Sequence, residues 1–129
     1  MKLQDYSMML AENISPIDGR YHTHTRKLSK YFSESALMRY RVLIELRYFK
    51  ALIRSEIPLL SSISHERISE VESAIFKDWE GFYQQIKSHE KITNHDVKAV
   101  EYALRDIFSQ NGLDSWVEFI HFGLTSQDI

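Results

Sequence analysis

The sequence contains no cysteine. Disulfide cross-links and thiolate metal sites are therefore excluded, and a cytosolic setting fits without being demanded. Glycine, at 4, and proline, at 2, are scarce in 129 residues, which favours long regular elements over tight turns. No window holds the roughly eighteen uninterrupted apolar residues of a membrane span. The opening MKLQDYSMML has one early lysine and only a short apolar-leaning cluster, so it does not read as a secretory signal. Neither sign of charge dominates: 16 basic against 18 acidic residues give a formal net charge of -2. That balance gives no reason to expect a nucleic-acid or membrane partner. GxGxxG, GKS/GKT, GxSxG and CxxC segments are also missing.

What is present is 43% hydrophobic residues, arranged with helical period. Residues 1–13 read as a loose tail. Residues 14–25 read as a loop, because Pro16 fixes a backbone angle and Asp18-Gly19 is a turn dipeptide. Ser33 is a credible N-cap for a helix over 33–54, with Leu37, Tyr40, Ile44, Phe49 and Leu52 as its apolar stripe. Arg39, Arg41, Glu45 and Arg47 flank that stripe as charges. A second helix is expected over 64–89, with Ile68, Val71, Ile75, Trp79, Phe82 and Ile86 on one face. A third, over 94–110, has a Thr93/Asp96 capping box, the stripe Val97, Val100, Leu104 and Ile107, and an Asn111-Gly112 stop. The segment 114–122 is apolar enough for helix or strand and is too short to decide alone; in this setting it is taken as helical. Thr125 to Asp128 fit a second capping box, the start of a further helix at 125–129. There is no internal repeat and no alternating strand run, so the class is all-α.

The notable polar residues gather at loops and caps. Arg20-Tyr21 follows a turn; the pair could be plain surface, or a planar guanidinium and a hydroxyl that recognise an anion. Asn94 and Asp96 are explained in part by capping. His95 is not needed for a cap, and at a helix N-terminus it tends to stay neutral, donating from one nitrogen and accepting at the other. Thr125-Ser126 could present hydroxyls and N–H groups to an anion. His121 is by default a buried, hydrogen-bonded histidine. His22 and His24 have a spacing that can hold a metal on an extended strand, but no third ligand is near, so no metal site is assigned. His65 and His89 read as solvated helix ends, and Trp79, Phe82 and Tyr83 as core.

Three segments, ISPIDGRY at 14–21, TNHDVKAVEY at 93–102 and EFIHFGLTSQDI at 118–129, resemble the N-terminal region of adenylosuccinate lyases, of the fumarase/aspartase superfamily. They stand in family order and cover essentially all the chain after the tail. Fumarases and aspartases carry a SQSSND-like element where this chain has LTSQD, and argininosuccinate lyases a GRSRND-like one. The resemblance implies a small helical N-terminal domain without the central helical bundle of such lyases. It also implies a cytoplasmic enzyme that eliminates fumarate from adenylosuccinate, giving AMP, and from SAICAR, giving AICAR, in purine biosynthesis.

By the same resemblance Arg20 and Tyr21 hold the nucleotide phosphate. Asn94, His95 and Asp96 bind substrate, Thr125 and Ser126 bind the succinyl portion, and His121 is a second active-site histidine. His95 and His121 take orienting or electrostatic roles. No cofactor or metal is implied; the expected partners are the nucleotide substrates and, in the full-length protein, three further copies in a homotetramer. The family's general acid histidine and its general base serine, near an SSxMPxKxNP segment, have no counterpart in these residues. The expectation is thus a fragment with part of a substrate site and no turnover alone. The alternatives are a helical module that binds a nucleotide or partner, or another fumarate-releasing lyase of the superfamily.

Overall fold

A computed structural model describes residues 11–129; most of the expected 1–13 tail lies outside them. Those residues divide into two compact units, one reaching to Leu37 and one from Met38 to Ile129. Among the described residues the regular elements are all helical, as the sequence pattern requires. None of the helices is long and apolar enough to cross a membrane.

The first unit is built on short turns. Asp18 organises the start of ISPIDGRY: its Oδ1 accepts from the Ser15 N–H (2.9 Å) and its carbonyl accepts from Asn13 Nδ2 (2.6 Å). Tyr21 N–H then donates to Pro16 O at 2.8 Å. The expected loop does not run to residue 25. His22–Thr25 forms one helical turn, followed by a 3-10 turn at Arg26–Leu28 and another helical turn at Ser29–Phe32. Thr25 fixes the first of these by donating its hydroxyl to Ile17 O (2.7 Å), a tie no periodicity would reveal. On a helical turn His22 and His24, two apart, do not share a face, so the extended geometry of a His-x-His metal pair is not formed.

Four longer helices follow: α1 Glu34–Arg54, α2 His65–Lys77, α3 Trp79–Thr93 and α4 Asp96–Gln110. Ser33 caps α1, its Oγ accepting from Ala36 N–H (3.1 Å). The face that α1 buries is not the expected one. Leu37, Tyr40 and Ile44 are 43–46% exposed, while Met38, Val42, Glu45, Leu46, Phe49 and Leu52 are buried. Only Phe49 and Leu52 of the expected stripe lie in the core. The sequence offers two overlapping 3–4 phases that converge on Phe49 and Leu52, and the buried one runs through Met38, Val42 and Leu46 to Phe49, which packs edge-on to Phe108 with centroids 5.1 Å apart. Burying a ring of this size contributes about 3 kcal/mol, a gain common to both phases.

The helix expected over 64–89 is two helices. Asp78 (φ -121°, ψ 60°) ends α2, and its Oδ1 accepts from Gly81 N–H (3.2 Å) to cap α3. The expected stripe survives the break, with Ile68, Val71 and Ile75 buried on α2 and Phe82 and Ile86 on α3. Trp79 and Tyr83 pack on it half-buried. α3 runs on to Thr93, past the expected end at 89. α4 buries Val97, Val100 and Leu104 as expected. It ends in a Schellman motif: Leu113 N–H donates to Phe108 O (2.9 Å) and Gly112 N–H to Ser109 O (3.0 Å), with Gly112 at φ +71°. The segment expected as a helix over 114–122 is a 3-10 helix, Asp114–Phe119, fastened by Trp116 Nε1 donating to Leu59 O (3.1 Å). At 125–129 there is a single 3-10 turn, Ser126–Asp128.

Candidate functional site

Within the second unit the polar residues singled out from the sequence are organised by one helix. Arg41, Glu45 and Tyr48 stand at i, i+4 and i+7 on α1 and therefore along one face. Arg41 Nη1 donates to Asp96 Oδ2 at 2.5 Å. Glu45 Oε1 lies 2.5 Å from His121 Nδ1. Tyr48 donates its hydroxyl to Phe122 O at 2.8 Å. Consecutive turns of a helix rise about 5.4 Å, so the 94–96 corner and the 121–122 corner are tied to neighbouring turns of the same rod.

The first corner joins α3 to α4. Asn94 ends α3 with a left-handed backbone (φ 50°), a conformation Asn tolerates better than most residues. His95 is itself the N-cap of α4: its Nδ1 accepts from Lys98 N–H at 3.1 Å. This corrects the expected Thr93/Asp96 box, in which His95 had no capping part. Thr93 closes α3, donating its hydroxyl to His89 O (3.0 Å). Capping fixes the His95 tautomer, because an accepting Nδ1 carries no proton; the proton sits on Nε2, and half of the side chain is exposed. Burial pushes the Asp96 carboxyl up, but the Arg41 hydrogen bond and charge and the Val97 N–H outweigh it. Asp96 therefore titrates below its ordinary 3.8.

The second corner carries His121, at φ 61°. A non-glycine residue there stores about 1–3 kcal/mol of strain and needs surroundings that hold it. The Glu45 contact and the Tyr48 tie to the next carbonyl are those surroundings. Glu45 is 3% exposed, and its Oε2 is buried with no partner among the described residues. Burial pushes its carboxyl above the usual 4.5 against the pull of His121, and the nearby Glu101 charge adds to the rise. Glu101, also buried, is itself held by Lys98 Nζ (2.9 Å) and Arg105 Nε (3.2 Å).

Beyond His121, Thr125 N–H donates to Asp128 Oδ2 at 2.7 Å, and the Thr125 hydroxyl reaches the same oxygen at 3.0 Å. These bonds hold the Asp128 carboxyl below its ordinary 3.8, with the charge of a protonated His121 adding to the effect. The Thr125-Ser126 turn and His121 thus lie within electrostatic reach of one another. Ser126 and Asn94 are exposed.

Arg20 and Tyr21 belong to the first unit. The Arg20 guanidinium lies 4.9 Å from the Tyr21 ring centre, and its Nη2 donates to the Tyr21 hydroxyl at 3.3 Å. Both side chains are exposed, and Arg20 lines a cleft of about 370 Å³ with Asn13, Ser15, Pro16 and Gly19. The remaining histidines depart from the solvated ends expected of them: His89 Nε2 lies 2.6 Å from Asp106 Oδ2, and His65 Nε2 is buried and unpartnered among the described residues.

Arg41, Glu45 and Tyr48 were not singled out from the sequence. The signal for Glu45 was present, since it falls in the Met38–Val42–Phe49–Leu52 phase. A lone acid on an apolar face asks for a buried partner.

Compared with known proteins, this all-α chain is similar in sequence to lyases. Over nine-tenths of its length it is similar to adenylosuccinate lyases. It is 49% identical over 121 residues to that of Legionella pneumophila (strain Corby), 48% over 120 to that of Dictyostelium discoideum and 36% over 118 to that of Escherichia coli (strain K12). In each case the match takes in 90% of this chain and 26% of the relative, so the chain spans about a quarter of their length. No protein-family model matches it.

Proposed function

We propose that these residues form part of the substrate site of an adenylosuccinate lyase, a C–N lyase that releases fumarate from adenylosuccinate and from SAICAR. The observation that carries the reading is the identity of up to 49% across 90% of the chain to enzymes of that name. In the reaction a base takes a proton from the carbon beside a succinyl carboxylate, giving an enolate-like dianion. The electron pair then forms the fumarate double bond as the C–N bond breaks, and an acid protonates the departing nitrogen. Prearranged donors lower the barrier by meeting the developing charge, and each proton transfer needs a positioned group.

Three sets of residues fit these needs. Arg20 and Tyr21 offer a guanidinium and a hydroxyl to the nucleotide phosphate. Asn94 and Asp96 with the Nε2–H of His95 bind and orient the substrate from a corner that Arg41 stiffens. Thr125, Ser126 and His121 meet the succinyl portion. The principal acid and base lie outside these 129 residues, which hold no SSxMPxKxNP segment, and copies of the whole protein assemble as a tetramer. Titration of the chain with adenylosuccinate, followed by amide NMR, tests the reading: shifts concentrated at 94–96 and 121–126 are expected. Shifts absent from both corners would contradict it.

A further inference from the structure

The pairing of Glu45 with His121 goes beyond anything the sequence motifs assign. A glutamate in the apolar phase of α1 is an improbable core residue, and packing alone would favour a leucine there. A carboxylate kept only to stabilise the core would have both oxygens satisfied. Here Oε2 is buried and unpartnered while Oε1 is aimed at one ring nitrogen, 2.5 Å away. The ring it meets belongs to a residue with a left-handed backbone, whose following carbonyl is pinned by Tyr48 from the same helix. Strain, burial and a directed ring contact converge on the orientation of His121.

We infer that Glu45 is a positioning residue that holds His121 through its Nδ1–H, so that Nε2 is the nitrogen presented to the substrate. A carboxylate can only accept, so the proton of the contact sits on Nδ1. Neutral His121 then offers a lone pair at Nε2. On protonation it offers an N–H whose positive charge is balanced from behind by Glu45, a state that suits an anionic group such as a succinyl carboxylate. His95 is held the opposite way, with Nδ1 accepting from Lys98 N–H. The two histidines present complementary Nε2 atoms, a donor and an acceptor. This inference rests on the substrate reading given above, which supplies the ligand for Nε2.

The test is a two-bond 1H–15N spectrum of the 129-residue chain labelled at histidine, recorded at about pH 9, above the ordinary histidine range near 6.5. His121 is expected as the Nδ1–H tautomer and His95 as the Nε2–H tautomer. In Glu45→Gln the His121 ratio should move toward Nε2–H by about tenfold, the effect of one charge-assisted hydrogen bond. Glu45→Asp should recover part of it, and His95 should not change. An Nε2–H His121 in the unsubstituted chain overturns the inference, whether or not Glu45→Gln folds; so does a ratio unmoved in a folded Glu45→Gln. Adding adenylosuccinate separates the two readings, because it should shift the His121 Nε2 signal. The expected tautomer without that shift would sink the substrate reading, and with it the positioning role, while showing that Glu45 orients the ring.

Discussion

His95 caps α4 through Nδ1 and is proposed to meet substrate through Nε2, and substitution separates the two roles. His95→Ala removes the ring that caps α4 and should cost about 1 kcal/mol in urea unfolding, the usual loss on deleting a cap. Asn is among the better N-caps, so His95→Asn should recover most of that stability while still lacking the Nε2–H. If the ring serves substrate, both variants lose affinity for adenylosuccinate; if it only caps, His95→Asn keeps it. Asp96 gives a pH signature. Its carboxyl is held below 3.8 in the folded chain, chiefly against burial and by Arg41. The stability this contributes is fully present above 3.8 and is lost as pH falls through the lower folded value. Other carboxyls here are lowered too, so the difference between the chain and Arg41→Met is the useful quantity. It should shrink as the solution is acidified below about 3.8. A difference constant with pH would show that Arg41 does not act through Asp96.

At the scale of elements, the end of α4 offers the cleanest check. A Cβ at Gly112 would meet nothing within 4 Å, so Gly112→Ala isolates the backbone cost of φ +71°, about 1 kcal/mol in thermal or urea unfolding. A neutral result would mean the Schellman turn is not held in solution. This end was legible beforehand, because Asn-Gly after an apolar stripe has one common structural meaning. The α1 face was not. Leu37, Tyr40 and Ile44 and the rival set Met38, Val42 and Leu46 both lead at helical spacing into Phe49 and Leu52, and only tertiary packing distinguishes them. The break at Asp78 was hidden for a related reason: the stripe keeps its phase across it, so periodicity reports one helix where a cap makes two. Glu45 was misread along with α1. Placed beside the wrong stripe, it counts as a surface charge; placed in the right one, it is a buried acid that needs a partner. His95 as a cap could not have been read from composition, since ring nitrogens seldom fill that role.

For the molecule as a whole, the all-α class and the polar residues at 94–96 and 121–126 were legible from spacing and caps, whereas the ties from α1 to those two corners required coordinates. Arg41 to Asp96 spans 55 positions and Glu45 to His121 spans 76, separations at which sequence pattern carries no signal. Since the chain matches about a quarter of each relative, turnover is a property proposed for a larger assembly. Incubated with adenylosuccinate, the 129 residues should release no fumarate above a buffer blank, and detectable release would refute the claim that the principal acid and base lie elsewhere. The central claim is that these residues hold part of an adenylosuccinate site. The measurement that tests it most directly is a calorimetric titration with adenosine monophosphate, comparing the chain with Arg20→Ala. Weak binding that disappears in Arg20→Ala is the predicted result. Binding of equal strength in both, or none in either, would contradict it.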